Sequence, residues 1–89
     1  MATYTLLMTK SFIKDMKKLD KYAQIQIKSW IINNLENTDD PRRYGKALLG
    51  NLKDKWRYRI ENYRILAIID DEHIILHLVK VGHRRSIYK

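Results

Sequence analysis

Residues 56–69 contain two strand-like stretches joined by a short polar pair, and this pattern limits the fold more than any other part of the chain. The stretches are Trp56–Ile60 and Tyr63–Ile69, with Glu61 and Asn62 between them. Successive side chains of a strand point to opposite faces of a sheet, and two-residue connections commonly join antiparallel neighbours. The sequence therefore predicts a β-hairpin that turns at Glu61-Asn62, where asparagine tolerates a left-handed backbone.

A two-residue turn determines which residues of the hairpin face each other. Counting outward from the turn pairs Ile60 with Tyr63, Arg59 with Arg64, and Tyr58 with Ile65. One face then carries Trp56, Tyr58, Ile60, Tyr63, Ile65, Ala67 and Ile69 and is suited to a core. The opposite face carries Arg57, Arg59 and Arg64. A loop of another length would shift this register and separate the three arginines.

The paired arginines are unfavourable for the sheet itself. Like charges directly opposite each other cost from a few tenths to about 1 kcal/mol. Guanidinium groups on neighbouring strands can grip phosphate with two parallel hydrogen bonds each, which favours an anion-binding role. A solvated arginine face without function is the alternative.

The remaining elements follow from hydrophobic periodicity. Tyr4–Met8 has the composition of a strand, and Ile74–Val81 predicts the last strand. Helical spacing begins at Ser11, and a second helix begins after Asp20, whose carboxylate is suited to cap it. Its apolar stripe contains Ala23, Ile27, Trp30, Ile31 and Leu35. The order β-α-α-β-β-β predicts an α+β fold, in which two helices pack on a mainly antiparallel four-stranded sheet.

Composition sets the class of protein. Residues 1–89 are expected to form a single domain. The chain has no cysteine, so disulfides and thiolate metal sites are excluded, and we expect neither a metal nor a cofactor. No signal peptide or membrane-spanning segment is evident, which predicts a cytoplasmic protein without a membrane partner. The net charge of +8 favours an anionic partner, with nucleic acid as the leading class.

The C-terminal segment adds further cations after the last strand. It contains His83, Arg84, Arg85 and Tyr88. If the last strand pairs with the strand that contains Arg64, these side chains approach the hairpin arginines. Aromatic rings stack on unpaired bases and cations hold phosphates, so the mixture favours single-stranded RNA.

At these residues the sequence resembles the RelE/ParE superfamily of bacterial type II toxins. The resemblance covers nearly the whole chain, and its most specific parts are Leu49–Lys53, Trp56–Arg64 and Val81–Tyr88. The complete C-terminal motif is similar to the RelE branch, whereas the gyrase-poisoning ParE branch usually lacks it. The fold of the superfamily agrees with the order of elements predicted above.

The resemblance implies an endoribonuclease that cleaves mRNA in the ribosomal A site without a metal, by attack of the 2′-hydroxyl on the adjacent phosphate. By the same resemblance, Arg64 and Arg84 match the catalytic arginines, and Tyr88 matches a tyrosine that orients or stacks on RNA. The cations Lys55, Arg57, Arg59 and Arg85 are expected to bind RNA.

One departure from the family pattern concerns proton transfer. Arg57 and Arg59 occupy positions where some RelE toxins carry lysines, and arginine remains protonated at physiological pH. His83 is the candidate proton acceptor because imidazole titrates near neutrality. Lys55 is a weaker candidate, and His77 is expected to be structural.

Partners also follow from the resemblance. A toxin of this kind implies a cognate acidic RelB-like antitoxin, and the toxin–antitoxin complex is expected to bind its own promoter DNA. Two other functions remain open: a ParE-like poison of DNA gyrase, and a nucleic-acid-binding module without catalysis.

Overall fold

Two helices cover one face of a mixed five-stranded sheet in the computed structural model, which describes residues 2–87. The elements are β1 Thr5–Met8, α1 Lys10–Lys17, α2 Lys21–Asn34, β2 Lys46–Ala47, β3 Trp56–Ile60, β4 Tyr63–Asp70 and β5 Ile75–His83, with a 3₁₀ turn at Gly50–Leu52. The strand order is β1-β5-β4-β3-β2. β1 runs parallel to β5, and the other neighbours are antiparallel.

The expected α+β architecture is confirmed, but the number of strands was wrong. The additional strand is β2, in which Lys46 pairs with Arg57 and Ala47 with Trp56. Gly45 makes this approach possible: its φ is 85°, and a Cβ atom there would overlap the Arg57 carbonyl oxygen. Two residues are too few to show an alternating pattern, so the sequence did not reveal β2.

Both helices begin at side-chain caps. The Thr9 hydroxyl accepts a hydrogen bond from the Phe12 N–H at 3.2 Å, and the Asp20 carboxylate accepts one from the Ala23 N–H at 2.8 Å. The cap predicted at Asp20 is thereby confirmed. Caps of this kind typically stabilise a helix by about 1 kcal/mol.

The core lies between the helices and the predicted apolar face of the hairpin. Its fully buried members include Phe12 and Ile27 from the helices and Tyr58, Ile65 and Leu78 from the sheet. Trp30, predicted on the buried stripe of α2, is half-buried at its edge, where its ring packs against Tyr44 and Tyr58. Within residues 2–87, no helix is long and apolar enough to cross a membrane.

The hairpin has the register predicted for a two-residue turn. Arg59 pairs with Arg64, and Ile60 with Tyr63. The positive φ of 51° belongs to Glu61, however, and Asn62 does not share it. The carbonyl groups of Glu61 and Asn62 both accept hydrogen bonds from other parts of the chain, as described below. The left-handed residue of the turn is Glu61 and not Asn62, which the propensity of asparagine had indicated.

A polar cluster joins the segment after α2 to the far end of β4. The Arg42 guanidinium donates two hydrogen bonds to the Asp71 carboxylate, at 3.0 and 2.9 Å. The Tyr4 hydroxyl donates a third to Asp71, at 2.6 Å. Nearby, the Trp56 indole N–H donates to the Tyr44 carbonyl at 2.7 Å. The cluster therefore links Tyr4, before β1, and Arg42, after α2, to Asp71 directly after β4.

We expect the cluster to stabilise the fold at neutral pH and to lose this stabilisation as the pH becomes acidic. Its hydrogen bonds from Arg42, and then from Tyr4, lower the pKa of the Asp71 carboxyl from 3.8 to about 2. Because the folded-state pKa is the lower one, the stabilisation is complete above the unfolded pKa and is lost as pH falls through the folded value. In urea unfolding measured from neutral pH down to about pH 2, Asp71→Asn should be less stable than wild type at neutral pH and converge with it in acid.

The exposed neighbour Glu72 provides the matched control. Glu72→Gln should follow the wild-type pH dependence throughout. A constant difference between Asp71→Asn and wild type across the whole range would contradict the assignment.

Candidate nucleic-acid interface

The face of the sheet turned away from the helices carries cations from four adjacent strands. One row across the sheet runs Arg59, Arg64, Gly82, and the next runs Lys46, Arg57, Leu66, Lys80. Paired residues share a face, so these residues lie together on one side. We call Lys46, Arg57, Arg59, Arg64 and Lys80 the cationic face. The predicted juxtaposition of the three hairpin arginines is confirmed by this register.

Arg64 is the most firmly held member of the cationic face. Its side chain is buried, with 8% of its surface exposed. Its Nη1 donates hydrogen bonds to the carbonyl oxygens of Glu61 at 2.8 Å and Tyr63 at 3.0 Å. Since the guanidinium is already positioned, little side-chain entropy is lost when an anion binds it.

Arg57 and Arg59 lie on β3, where Arg59 pairs with Arg64, and Lys55 directly precedes that strand. Arg59 is exposed, and Arg57 is half-buried. The Arg57 Nε is shielded from solvent and has no hydrogen-bond partner among the described residues. Lys55 is paired with Asp54 at 3.1 Å, and 24% of its side chain is exposed. The hairpin therefore presents the Arg64 guanidinium, which is fixed by hydrogen bonds, and the less constrained guanidinium groups of Arg57 and Arg59.

The C-terminal segment folds back beside the hairpin turn. The Arg84 N–H donates to the Asn62 carbonyl at 2.7 Å, next to the carbonyl of Glu61 that Arg64 contacts. A turn then closes where the Ile87 N–H donates to the His83 carbonyl at 3.1 Å. Adjacent peptide groups of the turn thus hold the Arg64 guanidinium and the Arg84 backbone, so the two residues predicted to act on phosphate are anchored at the same turn.

Ile87 covers part of the cationic face. Only 2% of its surface is exposed, and a Cβ atom at Gly82 would lie 3.4 Å from its Cδ1 atom. Ile87 therefore packs over Gly82, the residue that pairs with Arg64 in the sheet. The apolar contact holds the segment that carries Arg84 and Arg85.

His83 is placed differently from the arginines. It pairs with Tyr63, and the two rings meet edge to face with centroids 5.8 Å apart. Because paired residues share a face, its imidazole lies on the side of Tyr63, opposite Arg64. Its Nδ1 accepts a hydrogen bond from the Arg85 N–H at 3.2 Å. The fold thus brings His83 to the end of the sheet near Arg84 but does not place it on the cationic face.

Two other predicted residues lie at the end of the chain. Arg85 is exposed within the closing turn. Tyr88 lies outside the described residues. His77, expected to be structural, is half-buried and pairs with Ile68 on β4 and Leu7 on β1.

An open groove of about 450 Å³ crosses the sheet beside the cationic face. Its walls are mostly apolar, with a lysine from β5 and another from the residue before β3. The groove is lined by Thr9, Ser11, Leu52, Lys55, Leu66, Val79, Lys80 and Ile87. An apolar floor with cationic edges can accommodate a nucleobase and its phosphates.

Sequence reasoning missed Lys46 and Lys80. Lys46 belongs to the unpredicted strand β2, and Lys80 lies in the predicted last strand, where no role was expected for it. Lys80 and Gly82 flank Val81, so strand alternation puts them on the same face. Only the β4–β5 register shows that this is the face of Arg64. Within residues 2–87, no three His, Asp or Glu side chains are grouped closely enough to hold a metal ion.

Comparisons with known proteins identify the family to which the chain belongs. The family model of the ParE toxin of type II toxin–antitoxin systems matches residues 6–88. Toxin RelG of Mycobacterium tuberculosis is 31% identical over 86 residues, which are 97% of each chain. These matches show that the chain belongs to the RelE/ParE superfamily of type II toxins, as the sequence motifs indicated.

Among solved structures, the matches include RelE toxins of that superfamily. The toxin–antitoxin complex RelBE2 from M. tuberculosis matches with a TM-score of 0.81 and 30% identity, covering 92% of this chain and 99% of that one. The isolated Escherichia coli RelE toxin matches with a TM-score of 0.70 and 23% identity, covering 90% and 83%, and so shows the shared fold. The protein is a RelE-like toxin.

We expect the Ile87 contact to hold the C-terminal segment in place. Ile87→Ala should destabilise the protein by about 1–3 kcal/mol, because it removes a buried side chain at the edge of the fold. It should also accelerate hydrogen exchange of the Arg84 and Ile87 amides, whose hydrogen bonds close the segment. Ile25→Ala is the control, since Ile25 on α2 is 65% exposed, and it should change stability by less than about 0.5 kcal/mol. Unchanged exchange in Ile87→Ala would contradict the assignment.

Proposed function

We propose that this toxin is a ribosome-dependent endoribonuclease that cleaves mRNA in the A site and thereby inhibits translation. The observation that carries the proposal is that adjacent carbonyls of the hairpin turn accept hydrogen bonds from the Arg64 guanidinium and from the Arg84 backbone N–H. RNA cleavage by an internal hydroxyl requires cations positioned on one phosphate, a role that we assign to the side chains of these two arginines. Membership of the RelE/ParE superfamily supports a translation-inhibiting toxin, and we place its action in the cytoplasm.

In the proposed reaction the 2′-oxygen attacks the adjacent phosphorus and loses its proton to an acceptor. The bond from phosphorus to the 5′-oxygen breaks, and that oxygen gains a proton. The products are a 2′,3′-cyclic phosphate and a 5′-hydroxyl, so atoms balance without a metal or another reactant. We assign stabilisation of the charged phosphorane to Arg64 and Arg84, with Lys55, Arg57, Arg59 and Arg85 binding RNA and Tyr88 orienting it.

We assign the proton acceptor to His83, one residue before Arg84. Its pairing with Tyr63 places the ring across the sheet from Arg64, so this role requires the imidazole to reach the RNA around the end of the sheet. A direct test of His83 is therefore the most informative experiment on proton transfer.

The partners follow from the same proposal. The matching structure of RelBE2 from M. tuberculosis is a toxin–antitoxin complex, and that from Pyrococcus horikoshii is a RelE–RelB complex. We propose that this toxin binds a cognate acidic RelB-like antitoxin, to which its net charge of +8 is suited. We also propose that the complex binds its own promoter DNA.

A gyrase poison is the competing function, because the matching family model describes a ParE toxin. Induction of the toxin in cells distinguishes the two. Transcripts cut within reading frames support the endoribonuclease, whereas an SOS response with intact transcripts supports gyrase poisoning.

The arginines provide the first quantitative test. Arg84→Ala and Arg64→Lys should each reduce the cleavage rate on programmed ribosomes by about 10²–10³-fold, because each removes a preorganised donor to the transition state. Lysine at position 64 retains the charge but lacks the planar fork. Arg43→Ala is the control, since Arg43 is exposed and pairs with Asp39. Wild-type rates in folded Arg64 and Arg84 variants would rule out these assignments.

The second test concerns His83. His83→Asn preserves an acceptor for the Arg85 N–H but removes the titratable ring. If His83 accepts the proton, the single-turnover rate should fall by about 10²–10⁴-fold, and the limb of the pH–rate profile that reports the acceptor should disappear. A variant with the wild-type rate and pH profile would show that His83 serves only the fold.

A further inference from the structure

Lys80 reaches the cationic face because β5 contains a bulge. Leu66 pairs with Lys80, but its neighbour Ala67 pairs with Leu78, so Val79 is an extra residue in the strand. Side chains alternate along a regular strand, and Lys80 would then share the buried face of Leu78. The bulge reverses the alternation, which keeps Leu78 in the core and turns Lys80 outward.

Lys80 lies on β5, and Lys55 directly precedes β3. Both line the groove described above, together with the half-buried Leu52 and Val79 and the buried Leu66 and Ile87. Arg57 is next to Leu66 in the same row of the sheet. Adjacent strands are about 4.8 Å apart, so the backbones of Arg57 and Lys80, separated by β4, are about 10 Å apart. Their long side chains can therefore reach two phosphates that flank one nucleotide.

The chemistry of the groove suits a nucleotide better than an isolated anion. An anion alone would need cations but no apolar floor. A base gains from contact with an apolar surface, and the phosphates on either side of it gain from cations. The proposed reaction already places the cleaved phosphate near Arg64, in the row next to Lys80.

We propose that this groove is the subsite for the nucleotide adjacent to the cleaved phosphate, and that Lys80 contacts a phosphate of that nucleotide. This inference rests on the proposed RNA cleavage. It adds a binding residue on β5, outside both the hairpin and the C-terminal motif.

The test measures cleavage of a defined mRNA on programmed ribosomes under kcat/KM conditions. Lys80→Ala should reduce kcat/KM by about 10- to 100-fold, as expected for loss of one charge-assisted contact to phosphate. Lys80→Arg should restore most of the activity, because it retains the charge and reach. Lys80→Met keeps the apolar stem and should remain as impaired as Lys80→Ala, which separates loss of charge from loss of packing.

Two further variants complete the design. Lys28→Ala removes the same charge from the exposed surface of α2, across the sheet from the groove, and should cleave like wild type. Ser11→Trp fills the groove from its rim without removing a charge and should also reduce kcat/KM, with an unchanged urea midpoint showing that the fold is intact.

The outcomes separate the two proposals. If wild type and Lys28→Ala do not cleave at all, the proposed function fails and the inference fails with it. If they cleave, and folded Lys80→Ala and Lys80→Met cleave at the same rate, the subsite is overturned while the proposed function stands. Reduced cleavage in the Lys80 variants with normal cleavage in Ser11→Trp would also overturn the proposal that the groove binds a nucleotide.

Discussion

The rest of the candidate site depends on the hairpin turn at Glu61-Asn62. Its length determines the register that places Arg59 opposite Arg64. Its two carbonyl groups accept hydrogen bonds from the Arg64 side chain and the Arg84 backbone. One tight turn therefore sets both the position of the buried guanidinium and the place where the C-terminal segment returns to the sheet.

The cationic face illustrates a conflict between stability and function. Paired arginines repel, and a buried arginine loses hydration, so neither feature favours folding. The fold offsets this cost on the opposite face, where Tyr58 and Ile65 are buried against the helices. Local rules are often broken at functional sites, and here the alternation of arginines along the hairpin makes the conflict visible in the sequence alone.

Much of the fold could be predicted because local patterns were strong. The spacing of apolar residues indicated both helices, Asp20 identified the start of α2, and the turn length determined the β3–β4 register. The strand β2 and the bulge at Val79 could not be predicted. A two-residue strand has no period, and a bulge is visible only through its pairing with β4. Consequently Lys46 and Lys80 were missed, and His83 was expected near the arginines although it lies beside Tyr63.

The sequence by itself determined the class of this protein: a basic RelE-like toxin whose Arg57, Arg59 and Arg64 share one face of a hairpin. Alternation and turn length are local properties, so neighbouring residues suffice to define them. Only the tertiary structure decided which other residues join that face. Lys46, Lys80 and the backbone of Arg84 arrive from segments distant in the chain, and their positions depend on strand pairing, on one bulge and on the burial of Ile87 over Gly82.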